Sequence, residues 1–66
     1  MISVYVYSAG KFVATVNKQP READGFNAAE PWLLLHNTGR IDRFAKQADA
    51  RAEAEKSYPA ATFSKI

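Results

Sequence analysis

The chain has 66 residues, nine Lys/Arg against seven Asp/Glu for a net charge of +2, no cysteine and one histidine. This composition excludes a disulfide scaffold and a thiolate metal site, and a lone histidine disfavours an all-protein zinc site. No apolar segment approaches the roughly 20 residues that cross a bilayer and no secretory signal opens the chain, so we expect one cytoplasmic domain over residues 1–66, away from membranes.

A β-hairpin is predicted at the start of the chain. ISVYVY at 2–7 alternates β-branched and aromatic side chains, SAGK at 8–11 supplies a turn glycine with positive φ, and KFVATVN resumes the strand. The alternation assigns Tyr5, Tyr7 and Val13 to one face. It assigns to the other face, which we expect to form a core beneath a helix, the residues Ile2, Val4, Val6, Phe12, Ala14 and Val16.

Residues 18–31, KQPREADGFNAAEP, are predicted to form a long loop, because two prolines and a glycine break the strand pattern. Loops of more than about 12 residues are uncommon in compact domains and are often functional or mobile. Two interpretations remain open. The loop is a disordered surface insertion that Phe26 attaches to the core, or it folds over the face that carries Tyr5 and Tyr7.

The apolar run WLLLHN at 32–37 predicts a central strand, and NTG at 37–39 predicts a turn. Two readings compete after that turn. In one, RIDRF at 40–44 is a fourth strand paired with WLLLHN. In the other, a helix begins at once with Thr38 as its N-cap. We favour the strand, because a turn glycine separates two apolar runs.

Residues 46–57, KQADARAEAEKS, are rich in the residues that favour helix formation. Ala50, Ala54 and Tyr58 follow at four-residue steps, so they share one face, and two alanines there let a helix lie close to a sheet. ATFSKI at 61–66 is predicted to be the closing strand.

These elements predict an α+β fold. We expect a small antiparallel or mixed β-sheet of four to five strands, in the order β-β-β-β-α-β, covered on one face by a single helix. The helix covers one face only, so the second apolar face of the first hairpin is left without a cover inside the predicted fold.

No catalytic constellation is recognisable. His36 is the only histidine, no nucleophile-elbow glycine pattern surrounds any serine, and the three glycines are too far apart for a phosphate-binding loop. Glu22, Asp24 and Glu30 lie in the long loop without the calcium-loop pattern. We therefore predict a structural His36 at a strand end, no catalytic residue, no metal, no cofactor and no enzymatic activity.

Binding of another macromolecule remains, and a protein is the favoured partner, since a tyrosine-bearing apolar face needs no excess of positive charge to bind one. The alternative is a nucleic acid, with bases stacked on sheet aromatics and phosphates held by basic side chains. A homodimer through the bare face is a third interpretation. The predicted partner-binding residues are Tyr5, Tyr7, Val13, Phe26, Arg40, Arg43 and Lys65.

Two stretches, KFVATV at 11–16 and ADARAEAEKSYPAATFSKI at 48–66, resemble parts of the small T7-type bacteriophage inhibitors of bacterial RNA polymerase. That resemblance implies a three-stranded sheet with one helix and non-catalytic binding to a host protein in the host cytoplasm. It also implies a functional basic residue on the last strand, where Lys65 matches. NTGRIDRFAKQADARAEA, beginning at Asn37, is similar to the arm-type DNA-binding modules of phage integrases, which favours the nucleic-acid alternative.

Overall fold

The computed structural model of the protein describes residues 3–65, and it confirms the predicted α+β fold and element order. Five strands form one antiparallel sheet in the spatial order β4-β3-β2-β1-β5. Within the described residues, no helix is long and apolar enough to span a membrane. The elements are β1 Ser3–Ser8, β2 Lys11–Lys18, β3 Trp32–His36, β4 Ile41–Phe44, α1 Gln47–Ser57 and β5 Ala61–Lys65.

The β1–β2 connection is a two-residue turn in which Ala9 and Gly10 both have positive φ, at 51° and 81°. Positive φ at both central residues is the type I′ geometry, whose twist matches that of the flanking strands. The turn fixes the first pairs of the hairpin as Ser8 with Lys11 and Tyr7 with Phe12.

A β-bulge interrupts this hairpin at Val13. Tyr7 pairs with Phe12, but Val6 pairs with Ala14, so Val13 is an extra residue in β2. The prediction for Phe12 was therefore wrong: Phe12 lies on the face of Tyr7 and is 42% exposed. The prediction for Val13 was also wrong, because its side chain packs against the buried core.

The core lies between the sheet and α1, as the alternation predicted for the remaining positions. The helix packs against β2, β3 and β4 through its small side chains, which lets it approach the sheet closely. Ile2, the other predicted member, lies outside the described residues. The fully buried side chains are Val4, Val6, Ala14, Val16, Leu34, Ala50 and Ala54.

The favoured reading of residues 40–44 is confirmed, and the alternative with a helix starting at Thr38 is wrong. The amide of Gly39 donates to the carbonyl of His36 at 2.9 Å, and the amide of His36 donates to the carbonyl of Arg40 at 2.9 Å. These bonds close a hairpin between β3 and β4. The helix begins only at Gln47, after Lys46 in extended conformation.

The loop between β2 and β3 folds as a series of turns beyond the end of the sheet ladder. The amide of Gln19 donates to the carbonyl of Pro31 at 2.7 Å, which brings the two ends of the loop together. Inside it, Phe26 donates its amide to the carbonyl of Ala23 at 3.1 Å. The side-chain oxygen of Asn27 accepts hydrogen bonds from the amides of Ala29 and Glu30. Backbone groups of the loop therefore find hydrogen-bond partners within the loop itself.

Candidate functional site: the open face of the sheet

The face of the sheet that points away from α1 carries side chains from all five strands, and we call it the open face. Paired residues on neighbouring strands point to the same face of the sheet. Val4, Val16 and Leu34 form a paired, buried row on the helix side, so the residues that alternate with this row along each strand belong to the open face. The members of the open face are Ser3, Tyr5, Tyr7, Phe12, Thr15, Asn17, Leu33, Leu35, Ile41, Arg43, Thr62 and Ser64.

The large apolar side chains that the described residues expose to solvent all lie on this face. They are Tyr5 at 37%, Phe12 at 42% and Ile41 at 57% exposure. Scattered surface apolar residues are normal, but a contiguous apolar patch marks an interaction surface. The coincidence of all three on one face makes the open face the candidate site.

Three aromatic rings form one end of the open face. The ring of Phe12 lies 5.7 Å from that of Tyr5 and 6.0 Å from that of Tyr7, both in edge-to-face geometry. Aromatic pairs at this separation stabilise each other, so each ring packs against a neighbour although Tyr5 and Phe12 are exposed. The bulge at Val13 creates the cluster, because a regular ladder could not pair Phe12 with Tyr7 and also Ala14 with Val6.

Aliphatic side chains continue the open face toward β4. Tyr5 pairs with Thr15, Thr15 with Leu35, and Leu35 with Ile41, which gives one unbroken row across four strands. Leu33 lies beside this row and is half-buried. This row therefore links the aromatic cluster to the far edge of the sheet, with Thr15 as its one polar member.

Polar side chains lie around that apolar row. Ser3 donates a hydrogen bond to the side-chain oxygen of Asn17 at 2.5 Å, and Thr62 and Ser64 occupy the β5 side. Among the described open-face residues, Arg43 is the one with a charged side chain. An apolar centre with a polar rim is the usual anatomy of a protein-binding surface.

The long loop does not cover the open face, since Tyr5 and Phe12 keep more than a third of their surface exposed. The loop touches the face at its corner, where Arg43 donates a hydrogen bond to the side chain of Gln19 at 3.1 Å. Phe26 lines a groove of the loop instead. The residues that line this groove are Lys18, Gln19, Pro20, Arg21, Phe26, Ala28 and Pro31.

The seven predicted partner-binding residues are thus separated into two groups. The open face brings together Tyr5, Tyr7 and Arg43. The other four are elsewhere: Val13 packs on the core, Phe26 lines the loop groove, Arg40 bonds to Asp42 on the helix side, and Lys65 pairs with buried Val4 on the helix side.

Four apolar residues of the open face were not among the predicted binding residues: Phe12, Leu33, Leu35 and Ile41. The run WLLLHN predicted a central strand, but that prediction did not assign its leucines to the two faces of the sheet. The period of two supplied that signal, because a buried Leu34 places its two neighbours on the other face. The position of Phe12 on the open face does not follow from strict alternation, because it depends on the bulge.

A second polar cluster lies on the helix side of the sheet. The Nε2 of His36 lies 2.8 Å from a carboxylate oxygen of Asp42, and the Nδ1 of His36 bonds to the hydroxyl of Tyr58. Arg40 approaches the same carboxylate at 3.3 Å. The hydrogen bond from His36, followed by the charge of Arg40, lowers the pKa of Asp42 below its ordinary value of 3.8.

This cluster connects the end of the helix to the sheet. Tyr58 follows the last helical residue, while His36 ends β3 and its side chain is 6% exposed. Each polar atom of the histidine ring has a partner, as a buried imidazole requires. Within residues 3–65, no three His, Cys, Asp or Glu side chains come together as a metal site.

Neither a protein-family model nor a curated protein or solved structure matches the chain.

Proposed function

We propose that this is a non-enzymatic binding protein whose open face docks on another protein. The observation that carries the proposal is the exposure of Tyr5, Phe12 and Ile41 on one continuous face that no described element covers. Tyrosine and other aromatic residues are enriched at protein interfaces and among the residues that dominate their binding energy. The aromatic cluster around Phe12 supplies such anchors.

The charge of the open face favours a protein over a nucleic acid. Arg43 is its single cation among the described residues, and its guanidinium already bonds to Gln19. Binding to a phosphate backbone depends on several basic contacts, each of which releases counterions. Arg40 and Lys65, which were expected to add to these contacts, lie on the helix side.

The proposed biological role is inhibition or regulation of a host protein machine, of the kind that phage-encoded proteins exert. Its support is the resemblance of residues 11–16 and 48–66 to the T7-type inhibitors of bacterial RNA polymerase. The position of Lys65 on the helix side adds a constraint. If the open face makes the contact, the basic residue of the last strand is not at its centre.

Affinity capture from a bacterial lysate tests the binding face. The double variant Tyr5→Ala/Phe12→Ala removes two anchors of the aromatic cluster and should lose the proteins that the parent captures. The matched control is Glu55→Ala/Lys56→Ala on the exposed side of the helix, which should capture them as the parent does. Circular dichroism establishes that both variants are folded. Equal capture by the parent and both variants would exclude the open face as the interface.

Nucleic-acid binding is the second candidate, and the three aromatic rings favour it, because bases stack on exposed aromatic side chains. Fluorescence anisotropy with labelled mixed-sequence single and double strands, titrated with salt, separates the two candidates. Binding through phosphates weakens steeply as salt rises. A face with one cation should show no saturable binding even at low salt, whereas tight, salt-sensitive binding that Tyr5→Ala/Phe12→Ala abolishes would replace the protein proposal.

A further inference from the structure

The two edges of the sheet differ in how they are protected against pairing. β4 is the outer strand on one side, has four residues, and carries Asp42 and Arg43 at its centre. β5 is the outer strand on the other side, and its register with β1 is continuous, without a bulge. Short length, charges, prolines and bulges are the usual protections of an edge strand.

β5 has no charge, proline or bulge from Ala61 to Ser64, and its one charge, Lys65, is at its end. α1 packs mainly against β2, β3 and β4, and it reaches β5 through Arg51, which lies over the face of the Phe63 ring. No described element pairs with its outer edge. An unprotected edge presents backbone donors and acceptors that need a partner.

We propose that β5 pairs with β5 of a second copy of this chain, antiparallel, about a two-fold axis at Phe63. This interface uses the outer backbone edge of β5 and not the exposed aromatic side chains of the open face, so it stands whether or not the proposed function is correct. The pairing joins two five-stranded sheets into one sheet and removes the unprotected edge from each.

The sequence of β5 is complementary to itself in this arrangement. A two-fold axis at Phe63 places Thr62 opposite Ser64 of the second copy, and cross-strand hydroxyl pairs of this kind stabilise sheets. Lys65 then lies opposite Ala61 of the second copy, so the two lysines are kept apart. A parallel arrangement in register would instead set Lys65 beside its own copy, and like charges directly opposite destabilise a sheet.

Phe63 adds an apolar contact at the axis. It shares the helix side with Val6, and the guanidinium of Arg51 lies 4.5 Å from the centre of its ring. At the two-fold axis the two phenylalanine rings become direct strand neighbours, with an arginine over each. A five-residue edge is smaller than the interfaces of about 1,200–2,000 Å² that hold stable complexes, so the dimer should depend on concentration.

Sedimentation velocity from low micromolar to near-millimolar concentration measures this association. The mass should rise from that of one chain, 7.3 kDa, towards twice that value. Thr62→Lys/Ser64→Lys puts like charges opposite each other and should hold the protein at the mass of one chain. The control Ile41→Lys changes the open face at the other edge and should associate as the parent does. One-chain mass for the parent throughout, or loss of association in Ile41→Lys alone, overturns the proposal.

Disulfide trapping tests the register independently. The chain has no cysteine of its own, so any disulfide must join the introduced cysteines. Thr62→Cys and Ser64→Cys are exposed positions, oxidised separately and as an equal mixture. The proposed axis pairs these positions only across the two variants, so the mixture should give several-fold more linked dimer than either variant alone. Equal linking in all three samples contradicts the register, and absent linking in all three contradicts the interface.

Discussion

At the scale of single residues, the type I′ turn holds one of the two described alanines with positive φ, the other being Ala60 at 54°. Ala9 has a φ of 51°, a left-handed conformation that disfavours a residue with a Cβ and that asparagine tolerates better. Ala9→Asn should therefore raise the free energy of unfolding by about 1 kcal/mol, a rise of about 4–8 °C in Tm. Thermal denaturation measures it. Ala29→Asn, outside the left-handed region, is the control, and an equal gain there would contradict the explanation.

The bond between Tyr58 and His36 is the second feature at this scale. Tyr58→Phe leaves the Nδ1 of a histidine with 6% exposure without its partner, and an unpaired buried polar atom destabilises a fold by about 1–3 kcal/mol. Urea denaturation should show that loss. Tyr5→Phe removes the same hydroxyl from an exposed ring and should leave stability unchanged. A similar loss in both variants would mean that the His36 bond is not the cause.

Asp42 is expected to contribute to the loss of stability at low pH, the acid limb of the stability curve. Its pKa is lower in the folded protein than in the unfolded chain, chiefly through the hydrogen bond from His36 and then the charge of Arg40. The carboxylate therefore stabilises the fold fully above its unfolded pKa, and that contribution disappears as pH falls below 3.8 through the folded value. Asp42→Asn should flatten this limb in thermal denaturation at a series of pH values. Parallel limbs for both proteins would refute this role.

At the scale of elements, the helix contact depends on small side chains. Ala50 is fully buried against the sheet, and a larger residue has no space there without moving the helix. Ala50→Leu should lower the free energy of unfolding by about 1–3 kcal/mol. Ala52→Leu, two positions along on the exposed side, should change it little. Chemical denaturation of the pair measures the difference, and equal stability would show that the contact adapts.

The sequence predicted the elements because local patterns and tertiary packing agree in most of them. The alternating hairpin, the alanine-rich helix and the turn glycine before β4 all have local signals, and Gly10 and Gly39 have the positive φ that those turns require. It was harder to predict which side chains of β2 point to which face of the sheet. A two-residue turn pairs Tyr7 with Phe12, while the buried row demands Val6 with Ala14, and only an extra residue satisfies both. That conflict was present in the sequence, but a strict alternation hides it.

The candidate site was predicted in part for the same reason. Tyr5 and Tyr7 lie on a strand without a bulge, so alternation placed them correctly. Arg40 and Arg43 are three residues apart in one hairpin and therefore on opposite faces, which required knowing that 40–44 is extended. The fold of the loop around Phe26 depends on its own turns, for which composition gives no geometry.

At the scale of the whole molecule, the open face and the β5 edge are different surfaces of one sheet. Thr62 and Ser64 belong to both, since they point to the open side from the outer strand. If two copies pair through β5, their open faces join into one surface with an aromatic cluster on each side of the axis. A partner with two-fold symmetry could then contact both clusters, which raises its overall affinity through effective concentration.

The bulge also determines where the chain tolerates a change in length. β2 holds one more residue than its ladder with β1 uses, whereas the ladders of β3 show no irregularity. Loss of Val13 therefore leaves every other side chain on its present face, and that shortened protein should fold. The ladders of β3 have no extra residue, so deletion of Leu35 should turn His36 to the open face and prevent folding. Amide proton spectra of the two shortened proteins measure whether each one folds. Val13 is therefore the position in these ladders where a one-residue deletion should preserve both the buried row and the aromatic cluster, at the loss of the hydrogen bond that its carbonyl accepts from the amide of Asn37.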